Sequence, residues 1–187
     1  MMKKIIFILI AVLSVNLMPA QTKVGGAEIP NSMNFEGKNL VLNGAGVREK
    51  MWIDLYAGGL YLSEKSSNAA SIVSGNSPMA IKLHIVSKLI SSEKMIDAVN
   101  EGFENSTGGN MNNIKTQIEQ FRSLFLEEIK KNDVFDLVYL PEKGVNVYKN
   151  GIIKGSIDGM EFKKALFGIW LSNRPADDDL KEAMLGN

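Results

Sequence analysis

The sequence predicts an α+β fold built on a largely antiparallel sheet. Three observations carry this expectation. Segments with strand patterning fall into two blocks, 40–86 and 134–154, rather than alternating one by one with helices. Helical periodicities occupy 91–131 and 160–185. Two adjacent strand segments, 144–149 and 152–154, are joined by Asn150-Gly151, the strongest short hairpin signal.

The chain opens Met1-Met2-Lys3-Lys4, followed by the apolar run Ile5–Leu13 and a short stretch ending Leu17-Met18-Pro19-Ala20. A basic start, a short apolar run and a small residue before a polar chain read as a secretory signal peptide over 1–20, cut after Ala20. The run falls short of the roughly 20 apolar residues that span a bilayer. The chain is therefore expected to be exported to the periplasm and to have no membrane span after cleavage. Residues 21–187, without repeats, low-complexity stretches or linkers, are expected to form a single domain.

Residues 21–37, with Gly25, Gly26, Pro30 and Gly37, read as a polar lead-in holding at most one short strand. From Leu40 to Leu62 the chain is β-like, punctuated by Gly44, Gly46, Gly58 and Gly59, which inside strands mark bends or close backbone approach. Ser67–Val73 is a short helix ending near Gly75. In Met79–Val86, Ile81, Leu83 and Ile85 alternate with Lys82, His84 and Val86, the pattern of a half-buried strand. Ser91-Ser92-Glu93 caps a helix reaching about Phe103, with Met95, Ile96, Val99 and Phe103 as its apolar stripe. A second, longer helix is expected from Met111 to Lys131, because Ile114, Ile118, Phe121, Phe125 and Ile129 recur at helical spacing. Strands Val134–Leu140, Gly144–Lys149 and Ile152–Lys154 follow. Helices Met160–Trp170 and Asp177–Leu185, separated by Pro175, close the chain.

Composition removes many functions. The 187 residues include no cysteine, which excludes disulfides, thiolate metal sites and cysteine nucleophiles. A single histidine, His84, leaves no multi-histidine metal centre. Balanced charge, 21 basic against 21 acidic residues, gives no field for nucleic acid. No cofactor or metal is indicated, and the sequence specifies no protein partner.

Gly44-Ala45-Gly46 after Leu40-Val41-Leu42 has the look of a dinucleotide turn, but the third glycine is missing and a strand rather than a helix follows. Asp177-Asp178-Asp179 suits a helix start better than a metal, since consecutive residues there diverge. His84, without a partner nearby in sequence, reads as a structural or surface residue. Phe121, Phe125, Phe162, Phe167 and Trp170 could fill a core or line an apolar cavity. Arg48 is the more unusual residue. Its guanidinium matches a carboxylate, and Tyr56 could add one further donor. Eight residues fully extended span about 26 Å, so the two meet only if the chain folds back near Glu49-Lys50. The alternative is that Arg48 pairs with a surface acid while Tyr56 packs in the sheet.

Asn43-Gly44-Ala45-Gly46-Val47-Arg48 followed by Leu55-Tyr56-Ala57-Gly58-Gly59-Leu60-Tyr61-Leu62 resembles the chalcone isomerase family, specifically its bacterial chalcone isomerase-like members. Ser92-Glu93-Lys94, Tyr148-Lys149-Asn150-Gly151, Gly155-Ser156-Ile157-Asp158-Gly159 and Phe167-Gly168-Ile169-Trp170-Leu171-Ser172 continue the likeness in order over roughly 35–186. The resemblance implies an open-faced sandwich, with helices packed on one face of a curved antiparallel sheet and a cleft between them. Plant enzymes of the family close a flavanone ring in that cleft, and non-catalytic plastid relatives bind fatty acids. Arg48 matches the family arginine that steers a phenolate in the enzymes and meets the carboxylate in the lipid binders.

The enzymes' remaining polar groups do not carry over. Tyr56 stands where they have threonine, Ser91 where they have tyrosine, and Ala98 where they have asparagine, with Asn100 two positions away. No threonine or serine near Ile169-Trp170 matches their specificity residue. Ring closure needs an enolate stabilised by positioned donors, so the matched positions assign no catalytic residues. The resemblance therefore implies an exported, non-enzymatic protein that binds a fatty acid or similar amphiphilic carboxylate, with Arg48 and Tyr56 at the head group. Two other readings stand beside it: an isomerase or lyase of unknown substrate, and an envelope interaction module without a small-molecule ligand.

Overall fold

The structure, a computed structural model, describes residues 21–187, and the expected leader at 1–20 lies outside the described residues. The stretch read as a lead-in forms three strands. Gly25 and Gly26, at φ +54° and +78°, turn β1 (Gln21–Val24) back on β2 (Ala27–Pro30). β3 (Ser32–Phe35) then pairs with β4 (Lys38–Lys50) through a turn at Glu36-Gly37. These strands are short and polar, so they lack the apolar alternation that reveals a strand in sequence.

The main sheet has seven antiparallel strands in chain order: β3, β4, β5 (Ile53–Leu62), β6 (Met79–Ile85), β7 (Val134–Leu140), β8 (Gly144–Lys149) and β9 (Ile152–Ile157). Asn150 and Gly151 adopt φ +53° and +78°, both left-handed, as the hairpin signal requires. On one face lie α1 (Ala69–Ser74), α2 (Ser92–Thr107), α3 (Lys115–Ser123), α4 (Met160–Leu171) and α5 (Asp178–Leu185). The larger apolar cluster fills the space between this layer and the sheet, where Phe103, Phe121 and Phe162 contact one another and Phe125 packs on Phe121.

The opposite face is covered too. Ile29 and Leu40 pack there against Tyr61, Ala80 and Val138, and Phe35 lies 5.6 Å from the Tyr148 ring. This cover corrects the expectation of a half-solvated β6: Lys82 is buried and ion-paired with Asp136 of β7 at 2.7 Å. His84, on the same face, is half-buried.

The expected long helix at 111–131 is shorter. A 3₁₀ turn at Asn112–Ile114 leads into α3, which ends at Ser123. Beyond it, helical hydrogen bonding gives way to tertiary contacts. Ser92 Oγ donates to the Glu127 carbonyl at 2.6 Å and Lys149 Nζ to the Glu128 carbonyl at 2.6 Å. Phe125 and Ile129 still reach the core from this irregular segment, so the periodic pattern is real but its backbone is not helical.

Two devices fix the helical layer. Lys163 of α4 is fully buried, and its ammonium donates to the carbonyls of Ile72, Val73 and Gly75 at 2.8–3.0 Å, capping the end of α1. Burial draws its pKa down to about 8, with the Lys164 charge assisting. At the other end, α5 lies directly on β4. A Cβ on Gly44 would sit 2.0 Å from the Ala183 carbonyl oxygen, and Asn43 Nδ2 donates to the Met184 carbonyl at 2.8 Å. The glycine pair that suggested a nucleotide turn is a landing surface for a helix.

Candidate functional site

The turn that brings Arg48 to Tyr56 lies at Met51-Trp52, both with left-handed backbone, φ +54° and +61°. Lys50 pairs with Ile53, and two residues further from the tip Arg48 and Tyr56 become direct cross-strand partners, with a register shift between Arg48 and Glu49. Opposed residues in an antiparallel pair have Cα atoms about 4.5–5.5 Å apart, so the fold-back anticipated near Glu49-Lys50 is present.

The two side chains settle in different surroundings. Tyr56 is buried, and its hydroxyl accepts a 2.9 Å hydrogen bond from Trp170 Nε1 at the end of α4. Burial pushes its pKa up, opposed by the Arg48 charge and the Trp170 donor, so the phenol is held neutral. Arg48 is half-buried and donates through Nη1 to the Ala176 carbonyl, just beyond Pro175. That connection is itself closed by the Ala176 N–H donating to the Ile169 carbonyl at 2.7 Å. No carboxylate among the described residues lies within ion-pair distance of Arg48.

Arg48 lines a cavity between the sheet, α2 and the α4–α5 connection. Its inner wall is apolar, with buried Leu83, Phe121, Phe125 and Leu137. The space open to the centre of a water-sized sphere is about 80 Å³, where a single water needs about 10–15 Å³. Exposed Ala98 and Glu101 and half-buried Asn105, all on one face of α2, lie at the solvent side. Trp170 is on the wall, but Tyr56 is not; it stands behind, touching the cavity through Arg48 and Trp170.

The structure thus joins Arg48 to the apolar hollow that the sequence suggested, and sets Tyr56 one layer back. Phe121, Phe125 and Trp170 line the cavity, while Phe162 and Phe167 belong to the packed core. Glu101 and Asn105 were not apparent from sequence. Their signal was faint: positions 98, 101, 102 and 105 share a helical face that borders the apolar stripe. His84 lies on the other side of the sheet, and Asp177 caps α5 by accepting from the Leu180 N–H at 2.8 Å.

The family profile described as chalcone isomerase-like matches residues 21–186. The chain belongs to the chalcone isomerase-like family. Among solved structures, the fatty-acid binding protein of Arabidopsis thaliana superposes with a TM-score of 0.68 at 20% identity, over 86% of this chain and 92% of that one. At that identity the likeness establishes the fold, and with it the curved antiparallel sheet carrying helices that the family resemblance implied. The sequence matches none of the curated proteins. Ala98 lines the cavity, whereas Asn100 does not.

Proposed function

We propose that this chalcone isomerase-like protein is a non-enzymatic binder of a fatty acid or similar amphiphilic carboxylate. One observation carries the reading: a guanidinium without a carboxylate partner among the described residues lines an otherwise largely apolar cavity. A guanidinium has five N–H donors, and Arg48 uses one on the Ala176 carbonyl, which leaves donors for an anion. Arg48 takes the carboxylate with charge-assisted hydrogen bonds. The apolar walls take the start of the chain. Tyr56 acts as a positioning residue, bracing Arg48 and Trp170 from behind. The fatty-acid binding named for the Arabidopsis structure supports this assignment of ligand class. The cavity behind Arg48 also counts against an interaction module with a filled cleft.

The test is titration of delipidated protein with straight-chain fatty acids and their methyl esters, followed by native mass spectrometry and calorimetry. Acids bind one per chain, and esters bind at least about tenfold more weakly, the value of a lost charged hydrogen bond. Arg48→Met brings the acids down to the ester level. Equal binding of acid and ester, or no uptake of either, overturns the proposal. Export through the leader at 1–20 is part of the same reading, and its check is the mass of the protein from its own host, which should begin at Gln21.

A further inference from the structure

One end of the sheet carries apolar side chains that no described residue covers. The register brings four connections to this end: Lys50 pairs with Ile53, Tyr56 with Ile85, His84 with Val134, and Lys149 with both Phe135 and Ile152. The β4–β5 turn, the β6–α2 connection, the segment before β7 and the β8–β9 turn therefore emerge together. On them Trp52 is 92% exposed, Met51 78%, Leu126 71% and Ile152 65%, with Leu89 and Ile153 more than half exposed. Val41, the one other large aliphatic side chain beyond these turns and neighbouring Ile53 to be exposed among the described residues, pairs with Leu62 at the opposite end.

The β4–β5 turn violates two local rules at once. The β8–β9 turn obtains the same pair of left-handed residues with Asn150-Gly151, which adopt them without strain. The β4–β5 turn places Met51 and Trp52 there, residues that resist this backbone and are the most exposed apolar groups in the described chain. A sequence that breaks a local rule with no gain in folding points to a function.

We propose that this end docks on the surface of a lipid bilayer, with Trp52 and Met51 entering the boundary between headgroups and acyl chains. Three features select a bilayer. The apolar groups come from four different connections at one end of the sheet, and a fluid boundary receives side chains from several turns without the shaped, complementary surface that a folded partner requires. Tryptophan favours that boundary, and lysines beside it can lay their stems on the apolar side while keeping the ammonium in water. This end is also close to neutral. Glu127 and Asp133 are ion-paired with Lys154 and Lys149, at 2.9 and 3.2 Å. Across 49–54, 86–94, 126–133 and 149–154 lysines outnumber carboxylates seven to six, although from residue 21 onward acids outnumber bases 21 to 19. The docking end is thus the less acidic one, and it faces a negatively charged leaflet without repulsion. The proposal does not require an occupied cavity, but Arg48 lies two residues before the same turn.

Flotation with phosphatidylethanolamine–phosphatidylglycerol vesicles tests it. The chain has two tryptophans and Trp170 is buried, so a blue shift in emission on adding vesicles reports Trp52. The protein is expected to float with the vesicles and to show that shift. Trp52→Ser, at an exposed turn outside the cavity, is expected to reduce vesicle affinity about tenfold or more, the effect of one large apolar side chain, while leaving the melting temperature and the binding of free fatty acid unchanged. Failure to float, or equal flotation of Trp52→Ser, overturns the proposal. A blue shift that grows with protein concentration in the absence of vesicles overturns it too, because the tips then cover one another in a second copy of the chain.

Discussion

The indole N–H of Trp170 donates to the hydroxyl of Tyr56 at 2.9 Å, tying the end of α4 to the strand opposite Arg48. The bond is buried, so its loss exposes no group to water. Tyr56→Phe leaves the Trp170 donor without its acceptor and is expected to cost about 1–3 kcal/mol, the penalty of an unsatisfied buried polar group. Thermal unfolding should show a lower melting temperature. Carboxylate affinity should fall less than in Arg48→Met, since Tyr56 is behind the cavity wall. An affinity loss equal to that of Arg48→Met would place the phenol on the ligand instead.

Gly44 is expected to tolerate no side chain. Its Cβ would meet the Ala183 carbonyl oxygen at 2.0 Å and the Met184 carbonyl oxygen at 2.9 Å, backbone atoms that no rotamer change can move away. Gly44→Ala must lift α5 off β4 and break the Asn43–Met184 hydrogen bond. Overpacking a well-filled site costs about 1–3 kcal/mol, and contact with backbone puts this substitution at or above the upper end. Denaturant unfolding and proteolysis near the C-terminus would register it. Gly151→Ala, by contrast, meets nothing within 4 Å and should cost mainly the strain of its left-handed backbone.

Elements whose side chains alternate or recur strongly were legible in the sequence: β5 to β9, α2, α4 and α5 lie within a few residues of their expected bounds. Three features were not. β1 and β2 are short strands over the outer face and β3 is a short edge strand of the main sheet, all with too few apolar residues to show a period. The segment after Ser123 keeps helical spacing in Phe125 and Ile129, yet Ser92 and Lys149 claim its carbonyls from distant parts of the chain. Lys82 reads as a solvated strand residue, and only the cover over that face explains its burial. The site was half legible. Arg48 stood out as a cation in an apolar β segment, but the bond that sets Tyr56 behind it comes from Trp170, a contact that no local pattern encodes.

His84 gives the fold a measurable pH dependence. Burial, aided by the Lys82 charge, lowers its pKa below the ordinary 6.5. Between that lowered value and 6.5 the unfolded chain binds more protons than the folded one, so acidification through this window destabilises the fold. Stability from this group rises with pH up to about 6.5 and is flat above. The melting temperature of the protein minus that of His84→Gln, followed from about pH 7 down to about pH 5, should fall as pH falls. A difference that stays constant would mean that His84 titrates alike in both states.

Phe125 is expected to set how long a chain the cavity accepts. Its ring lies 5.0 Å from that of Phe121 and 5.2 Å from that of Phe135, and with Phe121 it closes the inner side of the Arg48 cavity. About 80 Å³ of space for water-sized centres admits a carboxylate and a short stretch of chain, so affinity should stop rising once the added carbons meet these rings. Phe125→Ala removes part of that wall. The ligand-free variant should lose about 3–5 kcal/mol of stability. A longer acid that fills the new space recovers part of it, with about 0.8 kcal/mol for each further buried methylene. Calorimetry across a chain-length series should therefore show the optimum moving to longer acids in the variant, together with a larger rise in melting temperature on binding. An unchanged optimum would mean that the tail leaves the cavity by another route than the Phe121–Phe125 wall.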